Sequence, residues 1–306
     1  MAEPIPQDVI DYARAIFAEA NLEATMALAR QPAAHEEQLD FQIFAALDRI
    51  GPRVVPRSNT AIQIDTHWLG GRRHFGRWEI ADIGIVITVR RGGRLLWQKV
   101  ALLQSKRLYS REIPVVELDR SDYEIGIGRL VDSPEHIPPL TKHRSFHFTD
   151  DCVYGAMASG SEQVKRIEQY ERRRKMPVYY SFYNPPRVPY QGAVPRIATL
   201  PLEQEEPKLG CRVMSAKEVH EILEKLPIGR TPQFCEMKSG VFPTGEDNFR
   251  HHGWRLENFI ADEMMTCREG RVFEQHDDED LYALLYERTA PIASLIQVSV
   301  DLPPEG

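Results

Sequence analysis

A chain of 306 residues with 42% hydrophobic residues and a net charge of -7 is long enough to bury a sizeable core, and its composition is that of a globular protein. No apolar run approaches the roughly 18 residues that cross a bilayer, and the N-terminus lacks the basic start and apolar stretch of a secretory signal, so we expect a cytoplasmic protein with no membrane partner. The four cysteines form no Cys-x-x-Cys pair, which argues against a disulfide framework and a zinc site.

Two helices are predicted at the start of the chain. Residues 7–30 carry an apolar stripe that ends at QPAA, and a second stripe runs through HEEQLDFQIFAALDRIG. On a helical wheel Glu36 falls near the centre of the second stripe with Asp40 beside it, whereas Glu37 projects about 100° away. A carboxylate directed at the core either complements the helix dipole in the first turn or has a functional role. The sequence leaves both explanations open for Glu36.

Three strands are predicted next, in TAIQIDTHWL (60–69), EIADIGIVITVR (79–90) and RLLWQKVALLQSKRL (94–108). The turn Arg91-Gly92-Gly93 joins the last two, so we expect them to pair as an antiparallel hairpin. Residues 109–158 contain scattered prolines and mixed polar character, which indicates an insertion that leaves the core.

The pattern then returns to regular structure. SGSEQVKRIEQYERRRK predicts a helix over 159–175 with Ser161 as its N-cap, and PVYYSFYNPP predicts a strand from 177 that two prolines end. The coarse order is therefore helix, three antiparallel strands, helix, strand. This order predicts a mixed α/β fold of the α+β type with a mixed sheet.

The chain after this core is predicted to be mainly helical. A proline-rich, acidic connector precedes helices expected at 215–226, 253–267 and 278–289, and ASLIQVSVDL predicts a final strand. We therefore divide the chain into a core at 1–190, which includes the insertion, and a mainly helical C-terminal subdomain at 191–306.

Positive charge is concentrated around the central hairpin. Between residues 72 and 111 ten basic residues stand against two acids, a local balance of +8, so that the rest of the chain carries -15. A basic region in an acidic chain predicts a face that binds a polyanion such as nucleic acid. The residues expected to contact it are Arg72, Arg73, Arg77 and Arg107. The arginines of the hairpin tip are equally well explained as solubilising groups.

Polar residues stand at the far ends of both hairpin strands. Counted from the turn, Asp82 is about ten positions away and Gln104 about twelve, so the two are expected to be neighbours. Residues two apart on a strand share a face, so Lys106 projects with Gln104 while Ser105 faces the opposite side. A carboxylate and an amide oxygen are ligands for a hard cation such as Mg²⁺. A nearby ammonium can orient water or offset phosphate charge.

This order of residues resembles the PD-(D/E)XK phosphodiesterase superfamily, which has the restriction-endonuclease-like fold. Glu36, or else Glu37, matches its helix acid, and Asp82 in ADIGIVI matches its metal-binding Asp. Gln104 and Lys106 in LLQSK match its second half, in the Gln-x-Lys variant of Mrr-like restriction enzymes. Ala81 stands where the name of the motif has proline. The resemblance covers roughly residues 33–185.

The resemblance implies an endonuclease dependent on Mg²⁺ or Mn²⁺ that cleaves nucleic acid, DNA rather than RNA. It implies Asp82, Gln104 and Glu36 as metal ligands and Lys106 as the group that assists the nucleophile. It also implies an effector of a prokaryotic defence or mobile-element system, with a second copy or a regulatory protein as partner. Because glutamine removes a charge, the alternative is a catalytically weakened subunit of the same fold that binds nucleic acid or supports assembly.

Two histidine-containing stretches support a third hypothesis, a small-molecule enzyme. Each is either a solvated polar loop or a site for metal or phosphate. The residues concerned are His143, His147, Asp150 and Asp151 in the first stretch, and Asp247, His251, His252 and Glu257 in the second. No G-x-x-x-x-G-K-[ST], G-x-S-x-G or H-E-x-x-H motif occurs, so ATPase, α/β-hydrolase and zincin assignments lack their usual support.

Overall fold

The structure is a computed structural model that describes residues 4–69, 80–113, 144–194, 208–237, 253–273, 279, 281–282 and 292–304. Its helices are α1 (Gln7–Arg30), α2 (Glu36–Leu47), α3 (Glu162–Arg174), α4 (Ala216–Leu223) and α5 (Leu256–Asn258), and α5 continues as a π-helix (Phe259–Met264). The predictions for Arg72, Arg73 and Arg77, for most of the insertion and for most of the helix expected at 278–289 lie outside the described residues.

The strands fall into one large and one small sheet. They are β1 (Arg53–Val55), β2 (Thr60–Trp68), β3 (Ala81–Arg91), β4 (Arg94–Arg107), β5 (Arg144–Phe148), β6 (Val178–Tyr183), β7 (Tyr190–Val194), β8 (Arg212–Ser215), β9 (Trp254–Arg255), β10 (Arg271–Phe273) and β11 (Ile292–Leu302). Within the described residues, β5 and β7 pair in a two-stranded sheet and the others form a nine-stranded sheet. The fold is therefore mixed α/β, as the sequence predicts.

The elements predicted around the candidate residues are confirmed, with boundaries that shift by a few residues. Both N-terminal helices form, and α1 buries a stripe of apolar side chains that begins at Val9 and ends at Ala29. The first turn of α2 is stabilised by the backbone N–H of His35, which donates to Oε1 of Gln38 at 2.9 Å. The side chain of Ser161 caps α3 by accepting a hydrogen bond from the Val164 N–H.

The hairpin of β3 and β4 forms as predicted, with Ile83 opposite Leu103, and a shift of register between Val89 and Arg90 offsets the unequal distances of Asp82 and Gln104 from the turn. The order of the sheet corrects the prediction of three adjacent antiparallel strands, because it runs β1-β2-β11-β3-β4-β6-β8-β9. Strand β11 lies between β2 and β3, antiparallel to the former and parallel to the latter. The strand is almost continuously buried, which suits a central position better than the alternating exposure of β2 does.

Helices cover both faces of the large sheet. On one face, Tyr183 of β6 donates its hydroxyl to Asp40 of α2. On the other face, the hydroxyl of Tyr180 lies 3.1 Å from Nε2 of His220 in α4. Because successive strand residues point to opposite faces, these contacts place α2 and α4 on opposite sides of β6. The end of β4 therefore lies in a layer that helices enclose from both sides.

The C-terminal residues contribute strands to the same large sheet. Strands β8, β9 and β11 extend or complete it, and β10 pairs with β4. The predicted division between residues 190 and 191 therefore does not separate two sheets. None of the helices in the described ranges combines the length and apolarity that crossing a bilayer requires.

Candidate functional site

The ends of the central hairpin bring Asp82 and Gln104 into direct contact. Nε2 of Gln104 donates a hydrogen bond to Oδ2 of Asp82, and the backbone N–H of Ser105 donates to the same oxygen at 2.7 Å. The hydroxyl of Ser294 in β11 donates to the Asp82 carbonyl at 2.8 Å. The carboxylate is thus oriented by two donors from β4, while its backbone is anchored from the opposite neighbour strand.

The Gln104 side chain is only 4% exposed and leaves one polar atom unsatisfied. Its Oε1 is buried and accepts no hydrogen bond within the part of the chain that the structure describes. A buried acceptor without a donor costs about 1–3 kcal/mol. Nε2 of the amide faces Asp82, so a rotation of the amide would turn Oε1 toward the carboxylate and complete the pair of oxygen ligands that a hard divalent cation prefers. The residues present therefore fit a Mg²⁺ or Mn²⁺ ion.

Lys106 follows on the same face of β4 and is 3% exposed. No hydrogen bond or ion pair of its ammonium is found among the described residues. The side chain therefore lies largely enclosed two residues from Gln104, where its ammonium is suited to an anionic ligand.

The structure distinguishes the two helix acids. Oε1 of Glu36 accepts a long hydrogen bond of 3.4 Å from the backbone N–H of Arg107, so Glu36 lies at the end of β4. Glu37 instead lines a groove on the outer side of α2. The acid that approaches the candidate site is therefore Glu36.

A further acid, Asp40, lies beneath the site and was not among the predicted site residues. Its Oδ1 accepts hydrogen bonds from the hydroxyl of Ser105 at 2.6 Å and from the hydroxyl of Tyr183. Burial raises the pKa of the Asp40 carboxyl well above its ordinary value, and the charges of Asp82 and Glu36 raise it further, whereas the two hydroxyl donors oppose this shift. The sequence signal was its spacing, because residue 40 stands one helical turn after Glu36.

Ser105 connects the two carboxylates through different groups. Its backbone N–H orients Asp82, and its side chain, on the opposite face of β4, donates to Asp40. A displacement of α2 would therefore move Ser105 and, through the Ser105 N–H, would change the position of the Asp82 carboxylate. The arrangement supports the candidate site from below.

Arg107, which the sequence predicts to contact nucleic acid, lies inside the protein. The side chain is fully buried, Nη1 donates to the Pro32 carbonyl at 2.5 Å, and the guanidinium lies 3.8 Å from the centre of the Tyr109 ring. Arg107 therefore anchors the turn before α2. We do not include it in a nucleic-acid surface.

The histidine-containing stretches do not assemble a site in the described residues. Nδ1 of His147 lies 2.5 Å from Glu112, and Arg111 forms an ion pair with Asp151 at 2.6 Å. Glu257 is buried and accepts a hydrogen bond of 2.7 Å from Asn21. His143, Asp247, His251 and His252 lie outside the described residues. Among those described, no three His, Cys, Asp or Glu side chains converge as a metal-binding group.

No family model, no curated protein and no solved structure matches this chain. Assignment of a function therefore depends on the side chains that the fold brings together.

Proposed function

We propose that this chain is a Mg²⁺-dependent endonuclease with a restriction-endonuclease-like core and that it cleaves phosphodiester bonds in DNA. The observation that supports the proposal is the contact between Asp82 and Gln104 at the end of the hairpin, with the largely enclosed side chain of Lys106 two residues away. A carboxylate, an amide oxygen and an ammonium together suit a cation and a phosphate.

Asp82 and Gln104 would hold the ion, with Glu36 at the end of β4 as a further acid. The ion would supply Lewis-acid stabilisation of a phosphoryl oxygen and a more acidic bound water. Mn²⁺ prefers the same oxygen ligands and is expected to replace Mg²⁺. With one carboxylate and one neutral amide in direct contact, water and substrate oxygens would complete the coordination.

Lys106 would act on the substrate directly. Its ammonium can offset the negative charge that develops on the phosphate and can orient the attacking water. Its burial strengthens this interaction, because water screens a charge less effectively in a low-dielectric site. Ser105 and Asp40 would keep β4 and α2 in the arrangement that this geometry requires.

The order of elements supports the restriction-endonuclease-like core in part. Helix α2 with its acid, the β3–β4 hairpin, α3, and β6 pairing in parallel with β4 follow the expected sequence of elements. The insertion of β11 between β2 and β3 is the departure. It leaves the hairpin that carries Asp82 and Gln104 unchanged.

The proposal is tested by incubating the purified protein with supercoiled plasmid DNA and with an RNA transcript, in Mg²⁺ or in EDTA. We expect cleavage of DNA in Mg²⁺ and its loss in Asp82→Asn and Lys106→Met. The matched controls are Asp301→Asn, at an exposed strand acid, and Lys165→Met, at an exposed helix lysine. Cleavage by all five proteins alike would exclude the site.

A second candidate is a nucleic-acid-binding or assembly subunit with weakened catalysis. It is favoured by the Gln104 amide, which donates to Asp82 and so stabilises that carboxylate without a cation. Wild-type protein that binds DNA but leaves it intact in Mg²⁺ and in Mn²⁺ would support this candidate. A role as a defence or mobile-element effector, with a regulatory partner, is proposed on the resemblance alone.

A further inference from the structure

A groove of about 520 Å³ lies between the end of α1 and α2, and its Trp68 pairs across strands with Ser294, whose hydroxyl donates to the Asp82 carbonyl. We call it the α1–α2 groove. Its lining is Ala27, Arg30, Gln31, Ala34, Glu37, Gln38, Leu39, Phe41, Gln42 and Trp68.

Two large aromatic side chains stand exposed at this groove. Phe41 is 60% exposed and Trp68 is 52% exposed. The Trp68 ring contacts Phe44 edge to face, with ring centres 6.0 Å apart. This contact fixes the orientation of the Trp68 ring and leaves half of its surface open. Exposed aromatic faces held in this way are suited to stacking against another planar group.

Three amide side chains and two charged side chains surround these rings. Gln31, Gln38 and Gln42 each present an amide, which has both donors and an acceptor. The Oε1 of Gln38 accepts a hydrogen bond from the His35 N–H, so its NH₂ group is the part of this amide that can donate to a ligand. Arg30 adds a cation at the end of α1, and Glu37 adds one acid. An aromatic ring can stack on the face of a base, an amide can hydrogen-bond to its edge, and a guanidinium can pair with a phosphate. Together these groups suit a nucleotide.

The groove and the candidate site share the first turn of α2. Glu36 approaches the end of β4, and the next residue, Glu37, already lines the groove. A strand whose phosphate lies at Asp82 could therefore continue over this turn. We propose that the α1–α2 groove binds unpaired bases of the nucleic-acid strand that is cut, by stacking on Phe41 and Trp68. This inference rests on the proposed function and specifies its substrate as partly single-stranded.

The chemistry of the lining favours unpaired bases over other occupants. Within a duplex the faces of the bases are already stacked, so only unpaired or flipped bases can stack on a protein ring. The core of a protein–protein interface is depleted of charged residues, whereas this lining mixes two aromatic rings with three amides, a cation and an acid. A second copy of the chain on the groove is the competing outcome that the experiment must detect.

The test compares two fluorescein-labelled 15-nucleotide single strands that carry equal charge. One has all its bases, and the other has abasic sites through its central third. Binding is measured by fluorescence anisotropy in EDTA, so that cleavage does not interfere. Stacking predicts that the wild type binds the complete strand more tightly than the abasic strand, because both offer the same phosphates.

Phe41→Ala and Trp68→Ala are expected to weaken binding of the complete strand roughly tenfold and to leave binding of the abasic strand unchanged. Trp68→Phe, which keeps an aromatic ring, should retain most of the affinity. Leu22→Ala is the control, because Leu22 is an exposed apolar residue of α1 outside the groove. Light scattering after gel filtration reports the oligomeric state of each variant.

Equal binding of both strands by the wild type, or equal weakening of both by Phe41→Ala, would overturn the inference. So would a change of oligomeric state in Phe41→Ala with unchanged binding, because the groove would then be a protein interface. Failure of the proposed function is recognised separately. Asp82→Asn that cleaves like the wild type refutes the nuclease, whereas loss of cleavage in Asp82→Asn with unaltered base dependence in Phe41→Ala refutes only the groove.

Discussion

Across the central hairpin, the side-chain amide of Gln104 donates a hydrogen bond to the carboxylate of Asp82. An acid at position 104 would instead place two negative charges in contact in a largely buried position, which is unfavourable without a cation. The amide therefore stabilises the hairpin end in the absence of metal. Glutamine at this position also supplies less negative charge to a cation than an acid would. Residue 104 therefore increases the stability of the metal-free protein but lowers its affinity for metal.

Gln104→Glu is expected to reverse this balance. In EDTA, repulsion between the introduced carboxylate and Asp82 should lower the free energy of unfolding by about 1–3 kcal/mol. Saturating Mg²⁺ should restore much of this loss, because an ion that binds only the folded state stabilises it. Thermal unfolding of the variant and the wild type, each in EDTA and in Mg²⁺, measures both effects.

Gln98→Glu is the matched control for that experiment. Gln98 lies on the same strand, but its Nε2 donates to the hydroxyl of Thr88 at 3.1 Å rather than to an acid. We expect its stability to be independent of Mg²⁺. An equal response of both variants to Mg²⁺ would show that the ion does not bind beside Asp82.

Lys106→Met should separate stability from activity. Methionine keeps an unbranched apolar side chain in the place of the enclosed Lys106 stem, so the free energy of unfolding is expected to change by less than about 1 kcal/mol. Cleavage should be lost in the same variant. Urea unfolding curves measure the first effect, with Lys165→Met expected to change stability by less than about 0.5 kcal/mol. A marked loss of stability in Lys106→Met would instead indicate a structural role for the ammonium.

The two hydroxyl donors to Asp40 should act together. Ser105→Ala or Tyr183→Phe leaves one donor to Oδ1, whereas the double variant removes both from a fully buried carboxyl. We expect about 1–2 kcal/mol of destabilisation from each single change and a greater loss than their sum in the double variant. Urea unfolding tests this, and Ser145→Ala, at an exposed residue of β5, is the control. Strict additivity would show that the hydroxyls act independently.

Asp40 also predicts a specific pH dependence. Burial raises the pKa of its carboxyl above the ordinary value of 3.8, so the folded state retains a proton that the unfolded state has released. Its contribution to stability is fully present below about pH 3.8 and is lost as the pH rises through the raised pKa. The wild type should therefore lose stability relative to Asp40→Asn as the pH rises above about 4. Unfolding by urea between about pH 4 and 8 measures this difference.

Asp151 provides a control of opposite sign. Its hydrogen bond to Arg111 lowers the pKa of Asp151 to about 2. Its contribution is therefore present above about pH 3.8 and is lost as the pH falls toward 2. The stability difference between the wild type and Asp151→Asn should therefore stay constant above about pH 4 and should disappear only as the pH falls toward 2. A constant difference between the wild type and Asp40→Asn across the whole range would contradict the assignment for Asp40.

Local patterns were sufficient to predict the hairpin and its polar ends. Alternation, the Gly92-Gly93 turn and residue counting indicated that Gln104 and Asp82 can be neighbours, but the shift of register between Val89 and Arg90 that sets them opposite each other could not be read from the sequence. The position of β11 could not be predicted in this way, since its partners in β2 and β3 lie more than 200 positions away in the chain and no turn fixes the pairing. The sequence shows that β11 is apolar but does not show which strand it pairs with.

Burial explains why the structure differs from the sequence-based prediction at single residues. Arg107 belongs to a basic region of the sequence, yet the fold encloses its guanidinium against Pro32 and Tyr109. Asp40 looks like an ordinary helix residue beside an apolar stripe, yet two hydroxyl groups from separate strands converge on it. Charge and spacing along a chain do not report which side chains are enclosed, because enclosure depends on elements that are distant in sequence.

The most direct test of the nuclease assignment is the rate of plasmid cleavage in Mg²⁺ by the wild type, Asp82→Asn and Asp301→Asn at equal concentration. Asp82→Asn removes the charge from the carboxylate that Gln104 and Ser105 orient, and Asp301→Asn makes the same change at an exposed strand position. We predict a loss of about 100-fold or more for Asp82→Asn and wild-type cleavage for Asp301→Asn. Equal cleavage rates for the three proteins would contradict a catalytic site at the end of this hairpin.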